Sequence, residues 1–313
     1  MTAMASSIQV LGDTLIRLGA EREDVVVCVA DTLKTMGVDS FGQRFPDRLF
    51  NFGIAEQNAV MAAAGLASAG KIPFVASYAV FLSMRTLEQL RTFVAYPHLN
   101  VKVLAGLGGY SAAINGVTHA ATEDLSVMRA IPGMTVIVPA DAVGIEKAVY
   151  AAAEHQGPVY IRIGMDVPAV HGPDYRFEIG KGVPLRTEGR DAAIIACGIM
   201  VGRALEAADQ LAAEGLRVQV VEMPTLKPID RKAIVRLARE TGAIVTVEEN
   251  NILGGLGSAV AEVLVEEIPN PLERVGILDC YADTGSQDEL LEHFGLTVPH
   301  IVESVRRVVA RKG

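Results

Sequence analysis

Three short stretches of this 313-residue chain carry side chains of the kinds that do chemistry: a carboxylate, two aromatic rings and an imidazole. The carboxylate is Glu56, within Asn51-Phe52-Gly53-Ile54-Ala55-Glu56-Gln57-Asn58, just before the small-residue run AVMAAAGLA. A carboxyl can share or move a proton, and at the start of a helix its charge also favours the positive end of the helix dipole. A plain helix-start acid is the simplest reading of Glu56 taken alone. The rings are Tyr78 and Phe81, three residues apart and followed by Arg85. Flat rings can stack a planar ligand, although an aromatic after a strand is ordinarily core. The imidazole is His119, in the glycine-rich loop Gly106–Asp124 (GLGGYSAAINGVTHAATED), and it is the only one of six histidines in such a setting. A donor there could stabilise developing oxygen charge, whereas a lone loop histidine is more often structural.

The elements that must position these residues can be read from the hydrophobic pattern. Short β-branched runs alternate with helical stretches, which predicts a parallel sheet with helices on both faces. Strands are expected at 25–30, 72–77, 101–105, 135–138 and 159–163, and helices near 55–69, 83–95, 122–130 and 141–154. Asp141, after Pro139-Ala140, is expected to cap the last of these. All three chemical segments then fall at the carboxyl ends of strands or the start of the following helix, where open α/β sheets place ligands. Residues 166–190 are rich in Pro, Gly and charge and read as a linker. Alternation resumes with strands near 192–197, 217–222, 243–248 and 275–279 and helices near 200–214, 230–241, 256–267 and 297–311. Two α/β domains follow, 1–184 and 185–313. Gly254-Gly255-Leu256-Gly257-Ser258 reads as a tight strand-to-helix turn rather than a phosphate cradle.

Composition narrows the function classes. Half of the residues are hydrophobic and 21% are charged, so much apolar surface must be buried, in part at a subunit interface. Apolar runs such as 25–30 are too short and too β-branched to span a bilayer. Residues 1–20 lack the basic start and apolar core of a secretory signal. Cys28, Cys197 and Cys280 each lie within or beside an apolar run and read as buried free thiols, which fits a reducing cytoplasm. A net charge of −9 without a Lys/Arg block argues against nucleic acid as a partner.

Taken together, the motifs resemble the transketolase family. G-I-A-E-Q-N and its small-residue helix are similar to the activating-glutamate segment of transketolases and deoxyxylulose-phosphate synthases. In those enzymes the glutamate shares a proton with N1′ of the aminopyrimidine of thiamine diphosphate, which leads to loss of the thiazolium proton. That role needs a partly closed apolar pocket, for which Ile54 and the Ala and Met positions of the helix are candidates. The resemblance makes Phe81 the ring that stacks on the aminopyrimidine and Tyr78 its flanking wall, with Arg85 nearby. Met84 stands where transketolases often have a tyrosine. N-G-V-T-H resembles D-G-P-T-H, whose histidine faces thiazolium and substrate, so His119 and Asn115 are implied at the substrate. Val27–Asp31 looks like the strand ending in an interface aspartate, which puts Asp31 near the cofactor. Gly157-Pro158-Val159-Tyr160-Ile161-Arg162 looks like the strand whose arginine binds substrate phosphate. The stretches 95–103 and 128–142 are similar to C-terminal subunits of split transketolases, and the likeness runs from about residue 10 to 311.

The same resemblance marks what the chain lacks. Family members clamp Mg²⁺ and the diphosphate with a G-D-G segment, and the nearest string here, Gly12-Asp13-Thr14, lies in a predicted helix. The implied assembly is a heterotetramer, two copies of this pyrimidine-binding chain with two of an N-terminal diphosphate-binding subunit that supplies the Mg²⁺ ligands. The implied reaction is transfer of a two-carbon ketol unit from a ketose to an aldose. The β subunit of a 2-oxo-acid dehydrogenase and a non-catalytic subunit remain alternatives. Against the first, such subunits carry P-I-S-E and H-S-Q where this chain has G-I-A-E and T-H. Against the second, Glu56, Phe81 and His119 are all present. Ordinary transketolases have an acidic pair where Ile114-Asn115 stands and a phosphate-binding histidine at the position of Leu107, so the sugars are expected to differ.

Overall fold

A computed structural model describes residues 4–312; residues 1–3 and Gly313, which the expected domain bounds take in, lie outside the described residues. The chain begins with β1 (Met4–Ser6), α1 (Ser7–Glu21), β2 (Val25–Val29), α2 (Asp39–Arg44) and β3 (Leu49–Asn51). It continues through α3 (Glu56–Ser68), β4 (Ile72–Tyr78), β5 (Lys102–Gly106), α4 (Asp124–Ala130), β6 (Thr135–Ile137), α5 (Ala142–Glu154) and β7 (Val159–Arg162). The segment expected as one helix over 83–95 is instead two π-helical stretches, Phe81–Arg85 and Gln89–Ala95.

Beyond β8 (Asp166–Pro168), which pairs antiparallel with β1, the second unit contains β9 (Val183–Arg186), β10 (Ala192–Ala196), α6 (Met200–Ala213), β11 (Val218–Glu222) and β12 (Thr225–Lys227). Then come α7 (Arg231–Thr241), β13 (Ile244–Asn251), α8 (Leu256–Glu267), β14 (Leu272–Ile277), α9 (Gln287–His293) and α10 (Val298–Ala310).

The first sheet has the order β12-β6-β7-β5-β4-β2-β3 and the second β14-β13-β10-β11-β9. Each is parallel apart from one edge strand, β12 in the first and β9 in the second. Both exceptions carry or adjoin proline (Val183-Pro184, Lys227-Pro228), which suits an edge where one row of amides needs no partner. They were hidden in sequence because a segment of three or four residues that contains or adjoins proline reads as loop. β12 is also an exchange, a strand from the second half of the chain pairing with β6 of the first. β9 straddles the expected 184/185 boundary and belongs to the second sheet.

Continuous β-branched runs such as Val25–Val29 are buried on both faces, as a doubly covered parallel strand requires. Alternation then sorts the side chains. Val27, Val29, Phe74, Leu104 and Ile161 meet α1 and α5 on one face. Cys28, Val75, Val103 and Tyr160 pack with α3, α4 and the π-helical stretches on the other. That second cluster continues into Ile195, Met223, Leu237 and Val260, so the two domains share a core and part of the apolar surplus is spent inside the chain. Asp141 caps α5 as expected, its Oδ1 accepting from Gly144 N at 2.7 Å. Cys28 and Cys197 are buried free thiols, but Cys280 is exposed, because it sits past the end of β14 in a loop rather than in the strand. No helix among the described residues is long and apolar enough to cross a membrane.

Candidate active site

The carboxyl ends of β2, β3, β4 and β5 lie side by side in the first sheet, and each delivers one part of the site. From β2 comes Asp31, exposed, with φ +60°. Its amide donates to Asn51 Oδ1 at 3.1 Å, and Gly53 N donates to the same oxygen at 3.1 Å. Asn51 therefore ties the end of β2 to the turn that introduces Glu56. A left-handed non-glycine residue is strained and persists only where its surroundings hold it.

Glu56 opens α3 and is 2% exposed. Its carboxylate meets Arg85 Nη1 at 2.6 Å. The π-helical turn explains that reach: widening the backbone from Phe81 to Arg85 sets the guanidinium over the Phe81 ring, 4.3 Å from its centroid. Gln57 Nε2 holds Arg85 from behind by donating to its carbonyl at 3.0 Å. An apolar pocket walled by Ile54 was expected around Glu56. Ile54 is instead 79% exposed, because Gly53 at φ +69° turns the chain outward with nothing within 4 Å of its missing Cβ.

Tyr78 ends β4, and Phe81 follows one turn later with ring centroids 5.4 Å apart. The His119 imidazole stands edge-on to both, 5.6 Å from Tyr78 and 5.2 Å from Phe81. Its Nδ1 lies 3.0 Å from Thr118 Oγ1. His119 is carried by paired 3-10 turns, Ala113–Asn115 and Val117–His119, hinged on Gly116 at φ +91°. Asn115 is exposed on the first of these. Glu56, Tyr78, Phe81, Arg85 and His119 thus form one ledge, with Ile54, Met84, Ile114 and Val117 exposed on the same loops. A buried carboxylate at the foot of a ring cluster fits a flat heterocycle bearing a basic nitrogen, held by stacking and one short hydrogen bond.

Arg162 is not part of this ledge. It is 5% exposed, donates Nη2 to the carbonyls of Glu249 (2.8 Å) and Ala121 (3.3 Å), and lies 3.4 Å from Asp124 Oδ2. The guanidinium, expected at a substrate phosphate, is held here in a buried network between the domains. Leu107, buried with φ +56°, likewise offers no polar group. Sequence reasoning missed the role of Asn51, which ends a three-residue strand too short to show in the pattern, and of Glu249, whose partners are all remote in sequence. It read the glycine turn at 254–258 correctly. Glu248, not a phosphate, fills the N-terminus of α8 by accepting from Leu256 N and Gly257 N, both at 2.7 Å. Among the described residues no group of three or more His, Cys, Asp or Glu is placed to hold a metal ion.

The chain is similar to known proteins over most of its length. Residues 3–165 match the transketolase pyrimidine-binding domain and residues 180–301 the transketolase C-terminal domain. The chain is 44% identical over 302 residues to the 6-deoxy-6-sulfo-D-fructose transketolase subunit SqwH of Clostridium sp. (strain MSTE9), covering 96% of this chain and 93% of that one. It is 37% identical to one of the subunits of the apulose-4-phosphate transketolase of Phocaeicola vulgatus, covering 96% of each. A solved split-gene transketolase, described as an inactive β4 tetramer, superposes with a TM-score of 0.90 at 47% identity, covering 98% of this chain and 99% of that one. The chain belongs to the transketolase family, as the pyrimidine-binding and C-terminal domains of a split, thiamine-dependent enzyme of ketol transfer.

Proposed function

We propose that this chain supplies the aminopyrimidine half of a thiamine diphosphate site completed by a separate subunit, which brings the diphosphate clamp and its Mg²⁺ ligands. The observation that carries this reading is the convergence of Glu56, Phe81 and His119, from three strand ends, on one ledge that lies open beside exposed Ile54. Bound thiamine diphosphate supplies the electron sink for moving a two-carbon ketol unit between sugars. Glu56 holds the proton at N1′ of the aminopyrimidine, while Phe81 offers a stacking face and Tyr78 limits sideways movement. Arg85 neutralises the buried carboxylate and, being 44% exposed, has room to withdraw from it. Asp31 and Ile54 border the same opening and face the partner. His119 donates to oxygen charge developing on the sugar, and Asn115 contacts a sugar hydroxyl. The assembly is a heterotetramer with two copies of each subunit, and the buried free thiols suit the cytoplasm.

The sugars are not the common pentose and hexose phosphates. Neutral Asn115 can donate as well as accept, Leu107 provides no cation, and Arg162 is withdrawn into the domain interface. Any anionic group at the far end of the substrate is therefore met by the partner. The two relatives named for 6-deoxy-6-sulfo-D-fructose and for apulose 4-phosphate support a substrate other than the common ones. The test is reconstitution with the diphosphate-binding partner and a panel of ketose donors and aldose acceptors, with calorimetry of thiamine diphosphate on the chain alone and on the complex. Ketol transfer and tight binding are expected for the complex only. Micromolar or tighter binding to the chain alone, or no transfer from any ketose by the complex, would overturn the reading.

A further inference from the structure

The loop that presents His119 is closed at its neck within its own domain. Gly108 N donates to Ile163 O at 3.0 Å, and Gly109 and Ala121 exchange backbone bonds of 3.0 and 2.9 Å. Beyond the neck, Met165 N of the same domain donates to Ser111 Oγ at 3.1 Å, and further polar partners come from the other domain. Glu249, on β13, accepts the Tyr110 amide through Oε1 at 3.0 Å. Gln287, the first residue of α9, donates Nε2 to the same Oε1 at 3.0 Å and to Ser111 Oγ at 3.2 Å. Asn251 N donates to Thr122 O at 2.6 Å. The Tyr110 ring, fully buried, stacks on Phe294 at 5.3 Å.

Glu249 is 3% exposed, and a Cβ on Gly109 would fall 2.1 Å from its Cδ, so the carboxylate sits directly against the loop backbone. A buried carboxylate accepting main-chain and amide N–H groups makes bonds about twice as strong as neutral ones. Arg162 keeps its charge balanced from 3.8 Å. By contrast, among the described residues the His119 ring hydrogen-bonds only with Thr118, its own neighbour in the loop, so the loop decides where the imidazole stands.

We propose that Glu249 and Gln287, both from the second domain, are positioning residues for His119, bracing the loop that carries it against the ledge of Glu56 and Phe81. The brace rests on the catalytic reading of His119 given above, and the two can fail separately. The test pairs hydrogen exchange by mass spectrometry on the full chain with kinetics of the reconstituted complex. In Gln287→Ala, exchange at 108–121 should rise about 10- to 100-fold, the loss expected for bonds to a charged acceptor. Exchange in α3 and β10 should stay as in the wild type. Glu249→Ala should do the same or more, with Glu249→Gln partly restoring protection because it keeps an acceptor for Tyr110 N. Gln287→Ala should lower kcat with little change in the KM for thiamine diphosphate, and that loss should vanish in a His119→Ala background. Unchanged exchange at 108–121 in folded Gln287→Ala, or an undiminished kcat loss in the double variant, would overturn the brace. A wild-type complex without ketol transfer would overturn the functional reading, leaving the exchange result to stand or fall alone.

Discussion

Glu56→Gln separates the chemistry of the site from its stability. Glutamine keeps the shape and can still hydrogen-bond N1′, but it has no proton to share. General acid–base partners contribute about 10²–10⁴ in rate, and exchange of the thiazolium proton depends on this one directly, so it should slow by that factor. The fold should barely notice. Glu56 is 2% exposed, but its partner Arg85 is 44% exposed, so water screens the guanidinium and stands ready to solvate it. The lost charge pair then costs about 1 kcal/mol, at the upper end for screened pairs, rather than the several expected when both partners are buried. In melting temperature that is a fall of about 2–4 °C. The assay is quenched-flow proton NMR of thiamine diphosphate in the reconstituted complex, with calorimetric melting of the same samples. Near-wild-type proton exchange would refute the assignment of Glu56. Lost exchange together with a collapse in melting temperature would show a carboxylate that holds the fold.

His119→Ala should leave thiamine diphosphate affinity in place and lower kcat about 10²–10³-fold, the worth of one oxyanion donor; isothermal titration and steady-state kinetics of the complex check both halves. Asn115→Asp should shift the donor preference of the complex toward common sugar phosphates, read on the substrate panel; an unchanged preference would remove Asn115 from specificity. A third expectation concerns the interdomain linker, where His171 Nε2 meets Glu222 Oε2 at 2.6 Å under a stacked Tyr175 ring. Burial lowers His171, but the Glu222 hydrogen bond and charge, with Asp141, lift it above 6.5 overall. A raised folded-state value means stabilisation that is complete below the unfolded value and lost as pH rises through the folded one. Burial raises Glu222 as well, which gives the same sign. Urea melts of the wild type should therefore show stability falling as pH rises above 6.5, and His171→Gln should flatten that slope.

The parts of the site that were legible in sequence are local. Glu56, Tyr78, Phe81, Arg85 and His119 all lie in segments that leave the carboxyl end of a strand, and a parallel sheet gathers its carboxyl ends whatever the detail of packing. A β-branched run such as Val25–Val29 announces both the strand and its double burial. What failed were details set by backbone geometry. A π-helical turn and an α-helical turn share one hydrophobic pattern, so nothing at 81–85 foretold that Arg85 would lie over Phe81 and reach Glu56. The outward turn at Gly53 exposed Ile54 for a similar reason, since a positive φ at glycine redirects the next side chain without altering composition.

Arg162 and Glu249 show a different limit. Read locally, Arg162 is a cation at the end of β7, where a substrate anion would be welcome, and Glu249 is one of two acids closing β13. Their meaning lies in each other and in residues 38 to 139 positions away: Ala121, Asp124, Tyr110 and Gln287. Hydrophobic periodicity cannot register such pairs, because it averages over a face, whereas a buried charge is decided by one partner at one distance. Burial without partners would be costly for both, so the domains had to acquire the network together. Its members touch the backbone on both sides of the His119 turn, which couples the seating of the second domain to the placement of a side chain in the first. The second domain presents none of the ledge residues, yet its Glu249, on β13, and Gln287, on α9, hold the loop on which one of them stands.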